Sequence, residues 1–265
     1  MVDEKIVSLT NLFMRYPNKQ VLNGINLDVY RGQIIGYIGP NGAGKSTTIK
    51  IILGLASGYD GEVEIFGKNI ASGDDSYKRK IGYVPENADV YDQLTPMEYL
   101  TFVGELYGMQ RQHAEQKAGQ MLEAFELEES AHVRLSSFSK GMRQKVLIIS
   151  SLLHDPDLVF LDEPLSGLDA NSVMIIKELL EKLAERGKTI FYSSHIMDVV
   201  EKISHRIVLL ADGHIAADGS FEELRKESKE GSLEDIFNQL TGFVGHEERA
   251  DGIADLITEA AGHEE

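Results

Sequence analysis

Hydrophobic and polar positions along the chain predict alternating strands and helices. Apolar residues at every second position within residues 21–29 predict a strand with one buried face. Residues 33–38 form a short, almost continuous apolar run, which is typical of a parallel strand buried on both faces. A glycine-rich loop follows, and the spacing of Ile49 and Ile52 then predicts a helix. A strand, a glycine-rich loop and a helix in this order indicate the start of an α/β sheet.

The pattern becomes mostly helical in the middle of the chain. Thr95 is followed by Pro96 and then by Glu98, which is the pattern of a capped helix N-terminus. A second, more polar helix is predicted over residues 113–125. Residues 87–150 are therefore expected to contain an α-helical insertion between strands.

The α/β pattern resumes after the insertion, with two further helices and two buried strands in alternation. Asp212 and Gly213 then separate two apolar runs, and this pair favours a type I′ hairpin. Capping patterns at Ser220 and Ser232 predict two more helices, the second of which ends at Gly242. The alternating elements cover residues 140–153, 158–161, 172–186 and 189–192.

Composition and charge narrow the classes of protein that fit. Apolar residues make up 42% of the 265 residues and charged residues 26%, as in globular proteins. The formal net charge of -17 argues against a general nucleic-acid binder, which needs clustered lysine and arginine. Nine acidic side chains and one basic side chain fall within the last 35 residues, so residues 241–265 are expected to form an acidic surface tail. The absence of cysteine excludes a disulfide scaffold, a cysteine-ligated metal site and a cysteine nucleophile.

Residues 39–46 match the sequence G-x-x-x-x-G-K-S/T, which is typical of polyphosphate binding. Its glycines allow backbone N–H groups to turn toward phosphate oxygens, and the following helix directs the positive end of its dipole at the same anions. Lys45 can reach the β- and γ-phosphates, and the Ser46 hydroxyl can ligate Mg²⁺. A chance match is expected in about 1% of chains of this length, so the functional interpretation is favoured. The residues expected to bind the nucleotide in this loop are Gly39, Pro40, Asn41, Gly42, Ala43, Gly44, Lys45, Ser46 and Thr47.

Two adjacent carboxylates follow the predicted strand over residues 158–161. Side chains at the carboxyl end of a parallel strand face the ligand crevice of an α/β sheet. Asp162 is expected to hold Mg²⁺ and its water shell, and Glu163 to polarise the attacking water as the general base. An ordinary acidic strand end is the alternative, and the presence of the phosphate loop disfavours it.

A third motif lies just before this strand and points to a known family. Residues 139–144, Ser-Lys-Gly-Met-Arg-Gln, resemble the signature sequence of the nucleotide-binding subunits of ABC transporters, usually LSGGQ followed by a basic residue. The resemblance covers roughly residues 6–240. It implies that Ser139 and Gly141 present a hydroxyl, backbone N–H groups and a helix dipole to the ATP that the opposite subunit holds. Ser139 can also act simply as the N-cap of a core helix.

Three further positions match the same family. Residues 166–169 resemble the D-loop, which crosses the dimer interface and ends here at Asp169. His195 follows a predicted strand and resembles the switch histidine, which contacts the γ-phosphate and the attacking water. Tyr16 resembles the aromatic residue that stacks on adenine. An aromatic side chain near a strand end otherwise usually belongs to the core, and a lone histidine is more often structural.

The chain departs from the common family pattern in two places. Glu86 stands where many members have glutamine. Its carboxylate can still offer an oxygen to Mg²⁺ or to water, but it adds negative charge beside the triphosphate. In the signature, Phe138 and Lys140 replace the common leucine and the first glycine, whereas the serine and a glycine remain. We expect the ATPase function to be retained, with altered metal or coupling behaviour.

The resemblance implies a fold and a set of ligands. The fold is expected to be α/β, a P-loop NTPase core with a mixed or parallel central sheet, an N-terminal antiparallel β subdomain and an α-helical insertion. Residues 1–240 are expected to form the ATPase cassette, which binds ATP and Mg²⁺. The expected catalytic residues are Glu163, His195 and Lys45. The expected metal ligands are Ser46, Glu86 and Asp162.

The resemblance also implies partners and a location. The expected partners are a membrane permease subunit and a second copy of the chain or a homologous ATPase subunit, with no nucleic acid. The variants resemble the subgroup whose permease is a separate polypeptide and often an exporter. No segment is apolar over the roughly 20 residues that a bilayer span requires, so the chain would lie at the cytoplasmic face of the cell membrane, held there by the permease. Glu86 and residues 89–94 are expected to contribute to the groove that receives it.

Other classes of function fit the sequence less well. A soluble ABC-type ATPase acting on ribosomes or DNA stays open as the alternative. Ribosome-acting members usually carry two cassettes in tandem, and DNA-acting members split the cassette around a long coiled coil. This sequence instead shows one uninterrupted cassette and no heptad run. P-loop kinases and GTPases explain neither the signature-like motif nor the switch histidine. A degenerate regulatory cassette is disfavoured because Lys45, Glu163 and His195 are all present.

Overall fold

The strands of the protein form two sheets, and helices flank them. The computed structural model describes residues 4–87, 90–228, 230–242 and 246–259. The strands are β1 (Lys5–Tyr16), β2 (Lys19–Tyr30), β3 (Ile34–Ile38), β4 (Asp60–Ile65), β5 (Lys68–Asn69), β6 (Ile81–Val84), β7 (Leu158–Asp162), β8 (Thr189–Ser193), β9 (Arg206–Ala211) and β10 (His214–Gly219). The helices are α1 (Lys45–Ile52), α2 (Pro96–Leu106), α3 (Arg111–Ala124), α4 (Lys140–Leu152), α5 (Ala170–Glu185), α6 (Met197–Ile203), α7 (Phe221–Ser228), α8 (Leu233–Thr241) and α9 (His246–Glu259).

The first sheet is antiparallel and has the strand order β2-β1-β4-β5. Its β2 strand contains the alternating run that the sequence predicts. Ile25, Leu27 and Val29 are all at most 3% exposed, whereas the residues between them are more exposed. One face of β2 is therefore buried, and the predicted N-terminal antiparallel subdomain is confirmed.

The second sheet is mixed and carries the phosphate loop. Its strand order is β10-β9-β3-β8-β7-β6, with parallel pairing from β9 to β6 and an antiparallel β9–β10 hairpin at one edge. All five residues of β3 are buried, as expected for a central parallel strand. Asp212 and Gly213 in the hairpin have φ values of 48° and 78°, in agreement with the predicted type I′ turn. The parallel pairing puts the carboxyl ends of β3, β8, β7 and β6 at one edge.

Helices α2, α3 and α4 form the predicted α-helical insertion and share a hydrophobic core. Thr95 and Glu98 form the predicted capping box at the start of α2. The α4 helix also lies against β6, where a Cβ on Gly82 would be 2.2 Å from the carbonyl oxygen of Ser151. The insertion is therefore held closely to the edge of the central sheet. The shared core includes Leu100, Ala118, Leu122, Leu127, Leu135, Val146, Ile149 and Leu153.

The C-terminal part follows the predicted caps and adds a helix that the sequence analysis did not assign. Ser220 and Ser232 cap α7 and α8, and Gly242 ends α8 in the left-handed conformation. The unassigned helix is α9, in the region predicted as an acidic tail, and its side chains are exposed over residues 250–257. Residues 243–245 and 260–265 of that tail lie outside the described residues. Within the described part of the chain, no helix combines the length and apolar character needed to cross a membrane.

Candidate nucleotide-binding and catalytic site

A cavity of about 330 Å³ opens at the carboxyl edge of the central sheet. The phosphate loop after β3, the end of β7 and the segments after β6 and β8 all reach it, because parallel neighbours end at the same edge. The structure thus brings together motifs that are about 150 residues apart in the chain. The lining residues are Lys19, Val21, Asn41, Gly42, Gly44, Lys45, Ser46, Thr47, Glu86, Asp162, Glu163 and His195.

The phosphate loop needs glycine at its two ends for steric reasons. A Cβ on Gly39 would lie 2.4 Å from the carbonyl oxygen of Leu210 in β9. Gly44 is the N-cap residue of α1 and has a φ of 110°, which L side chains rarely adopt. The loop is therefore pressed between β9 and the start of α1, and its backbone N–H groups lie at the N-terminus of that helix.

Lys45 places a cation at the floor of this loop. Its Nζ donates to the carbonyl oxygens of Gly39 at 2.5 Å and Pro40 at 3.3 Å. Burial lowers the pKa of Lys45, and the carboxylates of Asp162 and Glu163 partly offset this effect. A polyphosphate in the cavity would supply further negative charge and stabilise the ammonium form.

The two predicted carboxylates are placed by pairing between β7 and β8. Asp162 pairs with Ser193, whose hydroxyl donates to Asp162 Oδ1. The next residue, Glu163, donates its N–H to the Ser193 carbonyl at 3.1 Å and has a φ of 49°. A left-handed backbone is uncommon for a residue other than glycine, and such residues cluster at functional sites. The strand pairing thus orients both carboxylates toward the same cavity.

Glu163 lies beside the predicted switch histidine. Nε2 of His195 is 3.8 Å from Glu163 Oε1, and the Ser194 hydroxyl is 3.4 Å from Oε2. Burial raises the pKa of Glu163, while His195 and Ser194 act in the opposite direction. A carboxylate whose pKa is shifted up toward neutrality is suited to accept a proton from water.

Seven predicted site residues do not line this cavity, and four of them lie outside the phosphate loop. Ser139 is the N-cap of α4, since its hydroxyl accepts the Met142 N–H at 3.2 Å. Asp169 is the N-cap of α5 and accepts two hydrogen bonds from Ser172, which lower the pKa of its carboxyl to about 2. Both side chains are exposed. The seven residues outside the lining are Gly39, Pro40 and Ala43 of the phosphate loop, together with Tyr16, Ser139, Gly141 and Asp169.

The signature segment and the D-loop form one patch. A Cβ on Gly141 would lie 2.5 Å from the carbonyl oxygen of Gly167, and Lys140 Nζ donates to the Ser166 hydroxyl at 2.7 Å. Gly141 therefore has a packing reason to be glycine within this chain, beside the phosphate contact that the family resemblance implies. The Ser166 N–H donates to the Glu163 carbonyl at 3.1 Å, so this patch directly adjoins the predicted general base.

Sequence reasoning missed two lining residues, Lys19 and Val21, at the start of β2. The structure pairs Lys19 with Tyr16 across the β1–β2 turn, and the Lys19 ammonium lies 3.2 Å from the point where a Gly42 Cβ would be. Tyr16 itself is 41% exposed beside this lysine. A lysine next to a turn carries no sequence signal of its own, because only the packing of the antiparallel sheet brings that turn to the phosphate loop.

Comparison with known proteins agrees with this geometry. A family model described as ABC transporter matches residues 22–166. The chain is 34% identical over 245 residues to the ABC-type transporter ATP-binding protein EcsA of Bacillus subtilis, covering 91% of this chain and 99% of that protein. It is 35% identical over 237 residues to the bacitracin transport ATP-binding protein BcrA of Enterococcus faecalis, covering 89% and 76%.

A solved structure described as the ATP-binding subunit of an ABC transporter has the same fold. The TM-score is 0.83 at 33% sequence identity, over 89% of this chain and 99% of that one. The chain combines this fold and these similarities with a phosphate loop, two adjacent carboxylates and a signature-like segment. The chain therefore belongs to the ABC transporter family and is one of its ATP-binding ATPase subunits.

Proposed function

We propose that this subunit hydrolyses Mg-ATP at an interface with a second ATPase subunit and thereby drives export through a separate membrane permease. The observation that carries the proposal is the single cavity that holds the phosphate loop, Glu163 and His195 together. In the proposal, Lys45 and the loop N–H groups bind the β- and γ-phosphates. Glu163 takes the proton of the attacking water, and His195 contacts the γ-phosphate and that water.

The donor set of the cavity fits Mg²⁺. Ser46, Glu86 and Asp162 all line the cavity and offer hard oxygen ligands. No group of three or more His, Asp or Glu residues that could hold a metal by itself occurs within the described ranges. This suits Mg²⁺, which is usually held by one or two carboxylates together with substrate phosphates. When bound, the ion neutralises negative charge on the phosphate oxygens.

The patch outside the cavity supports a two-subunit site. Ser139 and Asp169 are exposed, and α4 directs the positive end of its dipole outward at Ser139. We propose that Ser139 and Gly141 bind the ATP of a second copy or a homologous subunit, with Asp169 at the same interface. Tyr16 would stack on the adenine, since it lies beside the cavity-lining Lys19.

A groove in the helical insertion supports a permease partner. It has a volume of about 530 Å³ and two exposed aromatic side chains, Tyr91 at 65% and Phe102 at 43% exposed. An apolar surface rimmed by polar residues is typical of a protein docking site. We propose that residues 1–240 are the motor cassette, that the insertion over residues 87–150 receives the permease, and that the subunit is peripheral at the cytoplasmic face. The groove residues are Tyr91, Asp92, Gln93, Leu94, Glu98 and Phe102.

The export direction rests on similarity. The name of BcrA refers to bacitracin transport, and 89% of this chain aligns with it. We propose a related role, in which the partner permease determines the transported substrate.

Glu163→Gln tests the catalytic part of the proposal. The amide keeps the size and hydrogen bonding of the side chain but cannot accept the proton, so the variant should bind Mg-ATP and accumulate as a closed dimer with little hydrolysis. Size-exclusion chromatography with light scattering measures the dimer, and phosphate release measures hydrolysis. Glu181→Gln changes an exposed glutamate on α5 and serves as the control. Hydrolysis by Glu163→Gln at the wild-type rate would show that Glu163 is not the base.

Affinity capture from detergent-solubilised membranes tests the partner. The wild-type chain should recover a multi-helix membrane protein in stoichiometric amount, and Tyr91→Ala with Phe102→Ala should reduce that recovery. As a control, Leu55→Ala removes an apolar side chain that is about as exposed as Tyr91, at 67%, but lies outside the groove. Recovery only of ribosomes or nucleic-acid proteins from cytosol would contradict the transporter role and favour the soluble alternative.

A further inference from the structure

An ion pair connects the groove to the helix that begins at the signature segment. Nη1 of Arg143, in the first turn of α4, lies 2.7 Å from Oδ1 of Asp92, which lines the groove. The Arg143 side chain is only 24% exposed, whereas that of Asp92 is 51% exposed. A molecule that docks in the groove would therefore meet Asp92 before it meets Arg143.

The same guanidinium also holds the chain segment that leads into Ser139. Its Nε donates to the Phe138 carbonyl at 3.3 Å, and its Nη2 donates to the Ser136 carbonyl at 3.3 Å. Arginine presents these donors in one rigid plane, so the positions of all three acceptors are linked. Lysine could replace the charge but not this geometry.

Backbone hydrogen bonds join the same two segments. The Leu135 N–H donates to the Leu94 carbonyl at 2.9 Å, and the Ser136 N–H donates to the Asp92 carbonyl at 3.0 Å. Residues 91–94 and 135–139 are thus tied together by both main chain and side chain. A displacement at the groove would be carried to the cap of α4 through contiguous contacts.

We propose that Arg143 is a positioning residue that couples occupancy of the groove to the placement of Ser139. Arg143 does not line the nucleotide cavity, so it acts through other residues. Docking at the groove removes water from Asp92 and strengthens its attraction for Arg143, which in turn fixes the carbonyls of residues 136 and 138. This inference rests on the proposed function, because Ser139 matters only if it meets the nucleotide of a second subunit.

The test measures ATP-dependent dimerisation in the Glu163→Gln background. Arg143→Met and Asp92→Asn should each weaken the dimer at saturating Mg-ATP by about threefold or more, and the double variant should be no weaker than either single one. The affinity of the monomer for ATP should not change. Arg143→Lys should fall between Arg143→Met and the parent. Arg111→Met serves as the control, since Arg111 makes an exposed ion pair with Glu115 at 2.9 Å.

The outcomes separate this inference from the proposed function. If the Glu163→Gln parent does not dimerise with Mg-ATP, the proposed function fails and the inference falls with it. If the parent dimerises and Asp92→Asn dimerises equally well, coupling through the ion pair is overturned while the proposed function stands. If Arg143→Met does not fold, Asp92→Asn decides alone. The inference would also be overturned if, in both variants, the loss of dimer affinity were proportional to the decrease in melting temperature, because this would show a merely structural role.

Discussion

Replacing Gly141 with alanine should separate the first turn of α4 from the loop that precedes α5. The new Cβ would lie 2.5 Å from the Gly167 carbonyl oxygen, about 0.9 Å closer than an ordinary contact. This oxygen belongs to the backbone, so it cannot rotate away as a flexible side chain could. The backbone of Gly141 itself is not in the left-handed region, so alanine adds the close contact without backbone strain of that kind.

Gly119→Ala is the matched control for this change. Gly119 lies inside α3, and the nearest atom to its Cβ position is the flexible Met97 Cε at 3.7 Å. Alanine should therefore stabilise the helix there by about 0.5–1 kcal/mol. Both replacements exchange glycine for alanine within a helix, so the two variants differ chiefly in the close contact.

The expected size of that difference follows from overpacking. Inserting a methyl group into a closely packed site costs about 1–3 kcal/mol. Each kcal/mol lowers the melting temperature of a domain of this size by roughly 2–4 °C, so Gly141→Ala should melt roughly 2–12 °C below Gly119→Ala. Differential scanning calorimetry on the two nucleotide-free variants measures this difference.

The same variant tests what Gly141 does in the assembly. Alanine keeps the backbone N–H that the family resemblance assigns to phosphate binding. The new Cβ should displace the loop that leads to Asp169, which we place at the subunit interface. Gly141→Ala introduced into the Glu163→Gln variant should therefore also weaken its ATP-dependent dimer. Equal melting temperatures for the alanine variants at 141 and 119 would refute the packing argument. A lower melting temperature with unchanged dimerisation would restrict the role of this contact to stability.

Three further predictions concern the site and the tail. Burial raises the pKa of Glu163, so the acid limb of the pH–rate profile should have its midpoint at a higher pH than the pKa of an exposed glutamate. Ser194→Ala removes a hydrogen bond that lowers this pKa, so it should move the limb to higher pH. A limb that does not move would contradict the assignment of Glu163 as the base. Lys19→Ala should raise the dissociation constant for ATP roughly two- to fivefold by calorimetry, whereas Lys50→Ala on α1, outside the cavity, should not. Deleting residues 245–265 should leave ATP hydrolysis by the complex largely intact, because the described side chains at 250–257 are exposed; a collapse of turnover with folding preserved would refute this.

Much of the fold could be predicted because the relevant signals are local. The cap at Thr95, the turn at Asp212 and the C-terminal stop at Gly242 each depend on a few neighbouring residues, and the structure contains all three. The alternation over residues 21–29 and the apolar run over residues 33–38 likewise depend on side-chain period. The α9 helix was not predicted although Ile253, Leu256 and Ile257 have helical spacing, because small residues and acidic residues dominate the segment. Those three apolar side chains are exposed in the structure.

The site was predictable only as far as each motif carries its own chemistry. A glycine-rich loop before a helix presents N–H groups suited to phosphate, and a carboxylate at the carboxyl end of a parallel strand faces a crevice. For this reason Lys45 and Glu163 could be named from the sequence, whereas His195 was named from the family resemblance. The structure places all three around one cavity. That Glu163 acts as the general base is the prediction that the Glu163→Gln experiment tests.

Local conformation and the chemical character of each motif follow from the amino-acid sequence, since both depend on residues within one or two turns of chain. Which distant segments come into contact is set instead by the tertiary structure. It brought Lys19 to the phosphate loop, set Gly141 against Gly167 and joined Asp92 to Arg143. These contacts link residues that are about 20 to 50 positions apart, and their formation depends on how the two sheets and the helical insertion assemble. No short segment encodes that arrangement, because it results from burying the apolar faces of many segments against one another at once.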